Sequence, residues 1–249
     1  VAESGAAPSH AVFGIAGPVV DNRCETTNLP WHMAGHQLGA ALGGAPVTLL
    51  NDLVTTAWGL GELGHGDLEV LQEGHPAPGN RALIAAGTGL GEALLVRDGD
   101  RWLPTGSEGG HADFAARDEF EDSLLRWLRV RYKRVSYERL LSGPGLADLY
   151  RYHREANVGG EPAEAAAAFD QATDPAAVVT EAALEGRCER ARLTLDRFCS
   201  IYGAEAGNLA LKALAVGGLF VGGGIAPKIL ARLRAGGFLG AFTQKGRLA

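Results

Sequence analysis

Several stretches of this 249-residue chain combine glycine with side chains that can hydrogen-bond or take a proton. In the most compact, an apolar run from Leu83 enters the turn Gly87-Thr88-Gly89-Leu90-Gly91, and a second apolar run leaves it as far as Val96. Glycine reaches positive φ without steric cost and lets a ligand or another backbone come close. Such a turn can aim backbone N–H groups at one point, which suits an anion such as phosphate, and the Thr88 hydroxyl adds a donor. The spacing is G-x-G-x-G, followed by a strand pattern. It is therefore not the dinucleotide fingerprint, which requires a helix there, nor a P-loop, which requires Gly-Lys-Ser/Thr. A plain hairpin turn could use the same residues.

Four further groups carry possible chemistry. Asn51-Asp52 ends the strand-like run Val47–Leu50, and ligands of α/β layers bind beyond the carboxyl ends of strands. Asp52 there either acts on a ligand or caps the next helix. Glu108-Gly109-Gly110-His111 sets an acid and an imidazole two glycines apart, with room expected for a small ligand against bare backbone. It could also be an exposed turn with surface charges. Glu138 falls in the first turn of a short helix to Leu141 for which Ser136 is a plausible N-cap, a position that favours a carboxylate. Leu219 to Lys228 places Gly222, Gly223 and Gly224 between a buried strand and a helix with Pro227 in its first turn. A flat ring or a ribose can lie on such backbone, and the helix N-terminus favours an anion; a tight strand-to-helix turn is the plainer account.

The elements expected to position these groups alternate between strand and helix, which indicates an α/β fold. Strands are expected at Val12–Ala16, Val20–Glu25 and Val47–Leu50, the last buried on both faces. One helix runs from near Trp31 to Leu42, where Gly43-Gly44 stops it, and another follows Asn51-Asp52 to about Leu60. A meander follows: Ala82–Ala86, Glu92–Val96 and Arg101–Thr105, turned at Asp98-Gly99-Asp100. Helices are expected over Asp118–Tyr132, Leu146–Arg154, from Pro175, and over Cys188–Ala215, with Leu195, Phe198, Cys199 and Tyr202 on one face. Residues 157–170 read as a solvated helix or a loop, and the Gly-, Pro- and His-rich stretch 61–80 as a hinge. The domains are therefore drawn at 1–61 and 62–249.

Composition narrows the class. A net charge of −6 argues against a nucleic-acid footprint, and no 18-residue uncharged apolar stretch suggests a membrane span. The three cysteines, Cys24, Cys188 and Cys199, form no C-x-x-C, so no metal site is expected and reduced thiols of a cytoplasmic protein are the natural reading.

The motifs occur in a telling order: Thr26-Thr27-Asn28 with Trp31, Leu49 to Asp52, Gly87 to Gly91, Glu108 to Phe114, Glu138 to Gly145, and Gly217 to Ile225. The series resembles the bacterial glucokinase family of the hexokinase and actin-like ATPase superfamily, over nearly the whole chain. That resemblance implies a two-lobed ribonuclease-H-like α/β architecture, with 1–61 as part of the small lobe and 62–249 as the large lobe. It implies ATP-dependent phosphorylation of glucose at its primary hydroxyl, the first step of glycolysis, with Mg²⁺, in a cytoplasmic homodimer. Asp52 is implied as catalytic base, and Asn51, Glu108, His111 and Glu138 as sugar ligands, with Asn28 near the sugar. Asp52, Glu108, His111 and Glu138 would then line one cleft. Gly87, Thr88 and Gly89 are implied as a phosphate-binding turn, and Gly223 and Gly224 as the adenosine-side loop. The zinc-binding cysteine motif of the related repressor and kinase family is absent. The family's other phosphate turn, of the Asp-x-Gly-Gly-Thr-Asn type, has no match in Val1–His10, and no C-terminal return segment follows. The expectation is thus the central part of a glucokinase with an incomplete small lobe. The alternatives are a kinase for another hexose and a catalytically weak or inactive sugar-binding or regulatory protein.

Overall fold

A computed structural model describes residues 8–26, 30–64, 66–75 and 77–248; Asn28 lies outside them. The chain divides into two compact units, Val1–Leu68 with Leu103–Gly106, and Glu69–Trp102 with Ser107–Ala249.

In the first unit, β1 (Ala11–Ile15) is followed by β2 (Val19–Val20), β3 (Arg23–Glu25), β4 (His32–Ala34), α1 (Gly35–Ala41), β5 (Val47–Asn51) and α2 (Asp52–Gly59). Strand β1 pairs in parallel with β5, Ile15 opposite Asn51, while β2, β3 and β4 form an antiparallel meander. Two expectations fail here for local reasons. The strand predicted over Val20–Glu25 is a hairpin, because Asp21 and Asn22 take φ of 50° and 59°, the left-handed pair that a two-residue turn requires. The helix predicted from Trp31 starts only at Gly35, because residues 32–34 pair with β3 and the Gly35 N–H donates to the Asn22 carbonyl at 3.0 Å. Gly43 and Gly44, at φ of 72° and 89°, do end that helix. The small core holds Ile15, Cys24, Val47 and Leu49. Thr48 and Leu50 are only half-buried, so β5 hides alternate side chains rather than both faces.

The second unit holds the sheet strands β7 (Leu90–Asp98), β6 (Arg81–Ala86) and β9 (Leu219–Gly222), in that order; β8 (Arg101–Ser107), whose Leu103–Gly106 belong to the first unit, follows β7 in the chain. Strands β6 and β7 are an antiparallel hairpin; β6 and β9 are parallel, Ala85 opposite Gly222. The two glycine stretches therefore leave neighbouring strands at the same end. Around the sheet come α3 (Glu119–Tyr132), α4 (Gly143–Glu155), α5 (Ala163–Gln171), α6 (Pro175–Leu184), α7 (Glu189–Ala213), α8 (Leu230–Leu233) and α9 (Gly237–Thr243). As the stripe predicts, Leu195, Phe198, Cys199 and Tyr202 of α7 are buried in the main core. The Tyr202 hydroxyl accepts the Ala86 N–H at 3.2 Å and lies 3.3 and 3.4 Å from the carbonyls of Ile84 and Gly222, joining β6 to β9 near their ends.

Three local expectations are corrected. Ser136 caps nothing; Tyr137–Arg139 is one 3-10 turn. Ser142-Gly143-Pro144-Gly145, expected to stop a helix, starts α4: the Ser142 hydroxyl accepts the Gly145 N–H at 3.1 Å and donates to the Glu138 carbonyl at 2.8 Å. After Gly222 the chain makes turns as far as Ile229, so no helix begins at Pro227.

Candidate functional site

The turn after β6 is fixed from both ends. The Gly87 carbonyl accepts the Gly143 N–H at 2.9 Å, and the Gly87 N–H donates to the Gly89 carbonyl at 2.8 Å. At the exit, the Leu90 N–H donates to Glu138 Oε2 at 3.0 Å. The backbone N–H groups of Thr88 and Gly89 have no partner among the described residues, and Thr88 is exposed. Glycine serves here in an unexpected way. None of Gly87, Gly89 and Gly91 takes a positive φ. What matters at Gly89 is bareness, since a Cβ there would sit 2.5 Å from Glu138 Oε2. Beside this turn, Gly223 does take φ of 81°, packed so closely on Ala86 that a Cβ would collide with its backbone. Gly224 has open space where a Cβ would point, a bare surface that suits a flat ring.

Glu108, His111 and Glu138 converge. His111 Nε2 lies 3.9 Å from Glu108 Oε2, and Nδ1 lies 3.8 Å from Glu138 Oε1. Both separations exceed hydrogen-bond length, so the three side chains leave polar atoms available to a ligand. The backbone beneath is stitched together. Arg134 donates to the His111 carbonyl at 2.7 Å and pairs with Asp113 at 2.7 Å; Tyr137 N–H meets the Ala112 carbonyl at 3.0 Å. The two glycines of this turn do not leave room for a ligand below it. A Cβ on Gly110 would strike the Leu90 carbonyl, and one on Gly109 the Glu92 carboxyl, so both let the turn lie flat on β7.

Asn51 and Asp52 belong to the first unit. Asn51 is the helix cap: its Oδ1 accepts the N–H groups of Leu53 and Val54 at 2.9 and 3.3 Å, while Nδ2 donates to the Gly17 carbonyl at 3.1 Å. Only the second Nδ2 hydrogen remains for a ligand. Asp52, half-buried, is the first helical residue; Oδ1 accepts the Leu53 N–H at 2.9 Å, and Oδ2 has no hydrogen-bond partner among the described residues. Capping thus falls to Asn51, which leaves the Asp52 carboxylate one oxygen able to accept a proton.

Sequence reasoning missed two residues beside this cluster. Glu92 sits on β7 directly under Gly109, and Glu205 faces it from α7; both are buried. A lone carboxyl inside the otherwise uncharged run Leu90–Val96 was the available signal.

A family model described as Glucokinase matches residues 2–249. A curated glucokinase from Nostoc punctiforme is 42% identical over 97% of this chain and 74% of its own length. One from Synechocystis sp. is 44% identical over 96% of this chain and 71% of its own. The chain belongs to the glucokinase family. Among solved structures, a glucokinase from an Antarctic psychrotroph superposes with a TM-score of 0.79 at 33% identity, covering 97% of this chain and 72% of that one. The glucokinase family member described here is accordingly a sugar kinase, a phosphotransferase, with the mixed α/β actin-like ATPase fold. In glucokinase terms, the second unit holds a glycine turn with free N–H groups and an acid–imidazole–acid cluster joined through one residue, Glu138. Among the described residues, no group of three or more His, Cys, Asp or Glu side chains could hold a metal ion.

Proposed function

We propose that the protein transfers the γ-phosphoryl group of ATP to the primary hydroxyl of glucose, giving glucose 6-phosphate as the first step of glycolysis. The observation that carries this reading is the double engagement of Glu138. One oxygen holds the Leu90 N–H at the exit of the glycine turn, and the other faces His111. A sugar presents hydroxyls, and carboxylates and imidazole are suitable partners for them. Glu108, His111 and Glu138 serve as sugar ligands, with the free Asn51 N–H as a further group that donates. The N–H groups of Thr88 and Gly89, with the Thr88 hydroxyl, bind phosphoryl oxygens; Gly223 and Gly224 bear the adenosine side. Held by the nucleotide phosphates, Mg²⁺ would supply charge neutralisation for the transfer. Asp52 Oδ2 takes the proton of the attacking hydroxyl. The first unit is read as part of a small lobe and the second as the large lobe, in a cytoplasmic homodimer.

Asp52→Asn in the full-length protein tests the central assignment. An amide still hydrogen-bonds a hydroxyl but cannot take its proton, so kcat should fall by roughly 10²–10⁴ while the glucose KM changes far less. The assay is coupled formation of glucose 6-phosphate. Turnover near the wild-type rate would mean that Asp52 is not the base.

A further inference from the structure

Beneath the Glu108–His111 turn lies a pair of carboxyl groups that the phosphoryl transfer does not use. Glu92 points from β7 into the interior with 1% of its surface exposed, and Glu205 on α7 is fully buried. Burial and the facing Glu205 side chain both act on the Glu92 carboxyl. Glu205 has polar partners that Glu92 lacks. It accepts from Asn208 Nδ2 at 2.8 Å and lies 3.4 Å from Lys212 Nζ, whereas Glu92 Oε1 has no partner among the described residues. Burial first, then the negative charge of Glu205, push the Glu92 carboxyl up to about 7 against the pull of Lys212. On its other side Glu92 fills the space where Gly109 would carry a Cβ, so its carboxyl is the floor on which the turn rests.

We propose that Glu92 is protonated beneath the sugar-binding turn and is thereby a positioning residue for it, its ionisation weakening glucose binding without entering the transfer step. The inference rests on the reading of Glu108 and His111 as sugar ligands. When Glu92 loses its proton, a further negative charge lies under Gly109 in a site with little solvent to screen it. The charged and titratable groups around the pair are Lys212 and Tyr202 of α7, Tyr137 of the turn before α4, Lys245 after α9, and Arg117 before α3. Burial raises the two tyrosines, which stay neutral through the range that matters.

The test is the pH dependence of glucose KM and kcat between pH 6 and 8.5 in the full-length wild type, Glu92→Gln and Glu205→Gln. Wild-type KM should rise about tenfold across the range, with kcat nearly level, because only the binding geometry depends on the proton. Glu92→Gln replaces the acid by a neutral group of the same shape and should keep the low KM at every pH. Glu205→Gln limits the pair to one charge and should flatten the profile as well, so a folding failure of either variant leaves the other to decide. His111 is intact in both variants, so any pH dependence it confers is common to all three proteins. A variant profile that tracks the wild type, a flat wild-type KM, or pH dependence carried by kcat would overturn the inference while leaving glucose as the substrate. A wild type that neither binds nor phosphorylates glucose at any pH would overturn the sugar-site reading and this inference with it.

Discussion

Adding one methyl group at Gly89 separates the part of the turn that can yield from the part that cannot. An alanine Cβ would lie 2.5 Å from Glu138 Oε2, roughly 1 Å inside ordinary contact. The obstacle is the end of a side chain, so Glu138 can swing away and the fold survives. What goes is the charge-assisted hydrogen bond to the buried Leu90 N–H, worth about 1.5–3 kcal/mol. Displacing Glu138 also removes it from His111, and if the full interaction is lost from glucose binding, affinity falls by about 10- to 100-fold at 1.4 kcal/mol per decade. Gly110→Ala is the contrast. Its methyl would run into the Leu90 carbonyl, which belongs to a paired strand and cannot rotate aside, so a stability loss of about 3 kcal/mol or more is expected. Urea denaturation and calorimetric titration with glucose measure both quantities. A folded Gly89→Ala protein that binds glucose as the parent does would refute the link between turn and sugar. Equal destabilisation by the two variants would refute the distinction between yielding side chain and unyielding backbone.

Other expectations concern the interior. Burial, with the charges of Arg197 and Arg190, lowers His153 to about 4. An unfolded histidine titrates near 6.5, so from pH 6.5 down to about 4 the unfolded state binds more protons and stability falls, by roughly 3 kcal/mol in all. Glu92 acts oppositely: the folded state keeps a proton that the unfolded state loses above about 4.5, so stability falls as pH rises from there to about 7. Urea midpoints between pH 4.5 and 6.5 should therefore rise with pH in Glu92→Gln and fall with pH in His153→Gln; parallel profiles would contradict both shifts. Tyr202→Phe strands the buried Ala86 N–H and should cost about 1–3 kcal/mol by the same assay, and a change within error would mean the hydroxyl is no real partner.

The long elements were legible in the sequence because their signals are dense. The meander, α3 and the buried stripe of α7 all fall where periodicity puts them. The short ones were not, for identifiable reasons. Asp21-Asn22 is a turn pair hidden inside a β-prone run. Ser136 is the expected cap and Ser142 the expected stop, yet it is the Ser142 hydroxyl that donates to the Glu138 carbonyl and accepts the Gly145 N–H. At the site, Glu108-Gly109-Gly110-His111 was recognisable as a unit, but its glycines were credited with making room. Their purpose depends on β7 lying underneath, a long-range fact that local spacing does not carry. Asn51 and Asp52 were likewise found together, while the division of labour between cap and free carboxylate required coordinates.

The fastening of the glycine turn has a consequence for how two ligands affect one another. Its start is tied to Gly143 and its exit to Glu138, six residues that form one short span reinforced by Ser142. A ligand that orders Glu138 therefore orders the turn, and an anion that orders the turn draws Glu138 into place. Such a span carries a coupling free energy, and coupling is symmetric: the factor by which acceptor sharpens donor affinity equals the factor by which donor sharpens acceptor affinity. On the proposed roles of Glu138 and the glycine turn, the segment between Glu138 and Gly143 would couple the two substrates through the backbone.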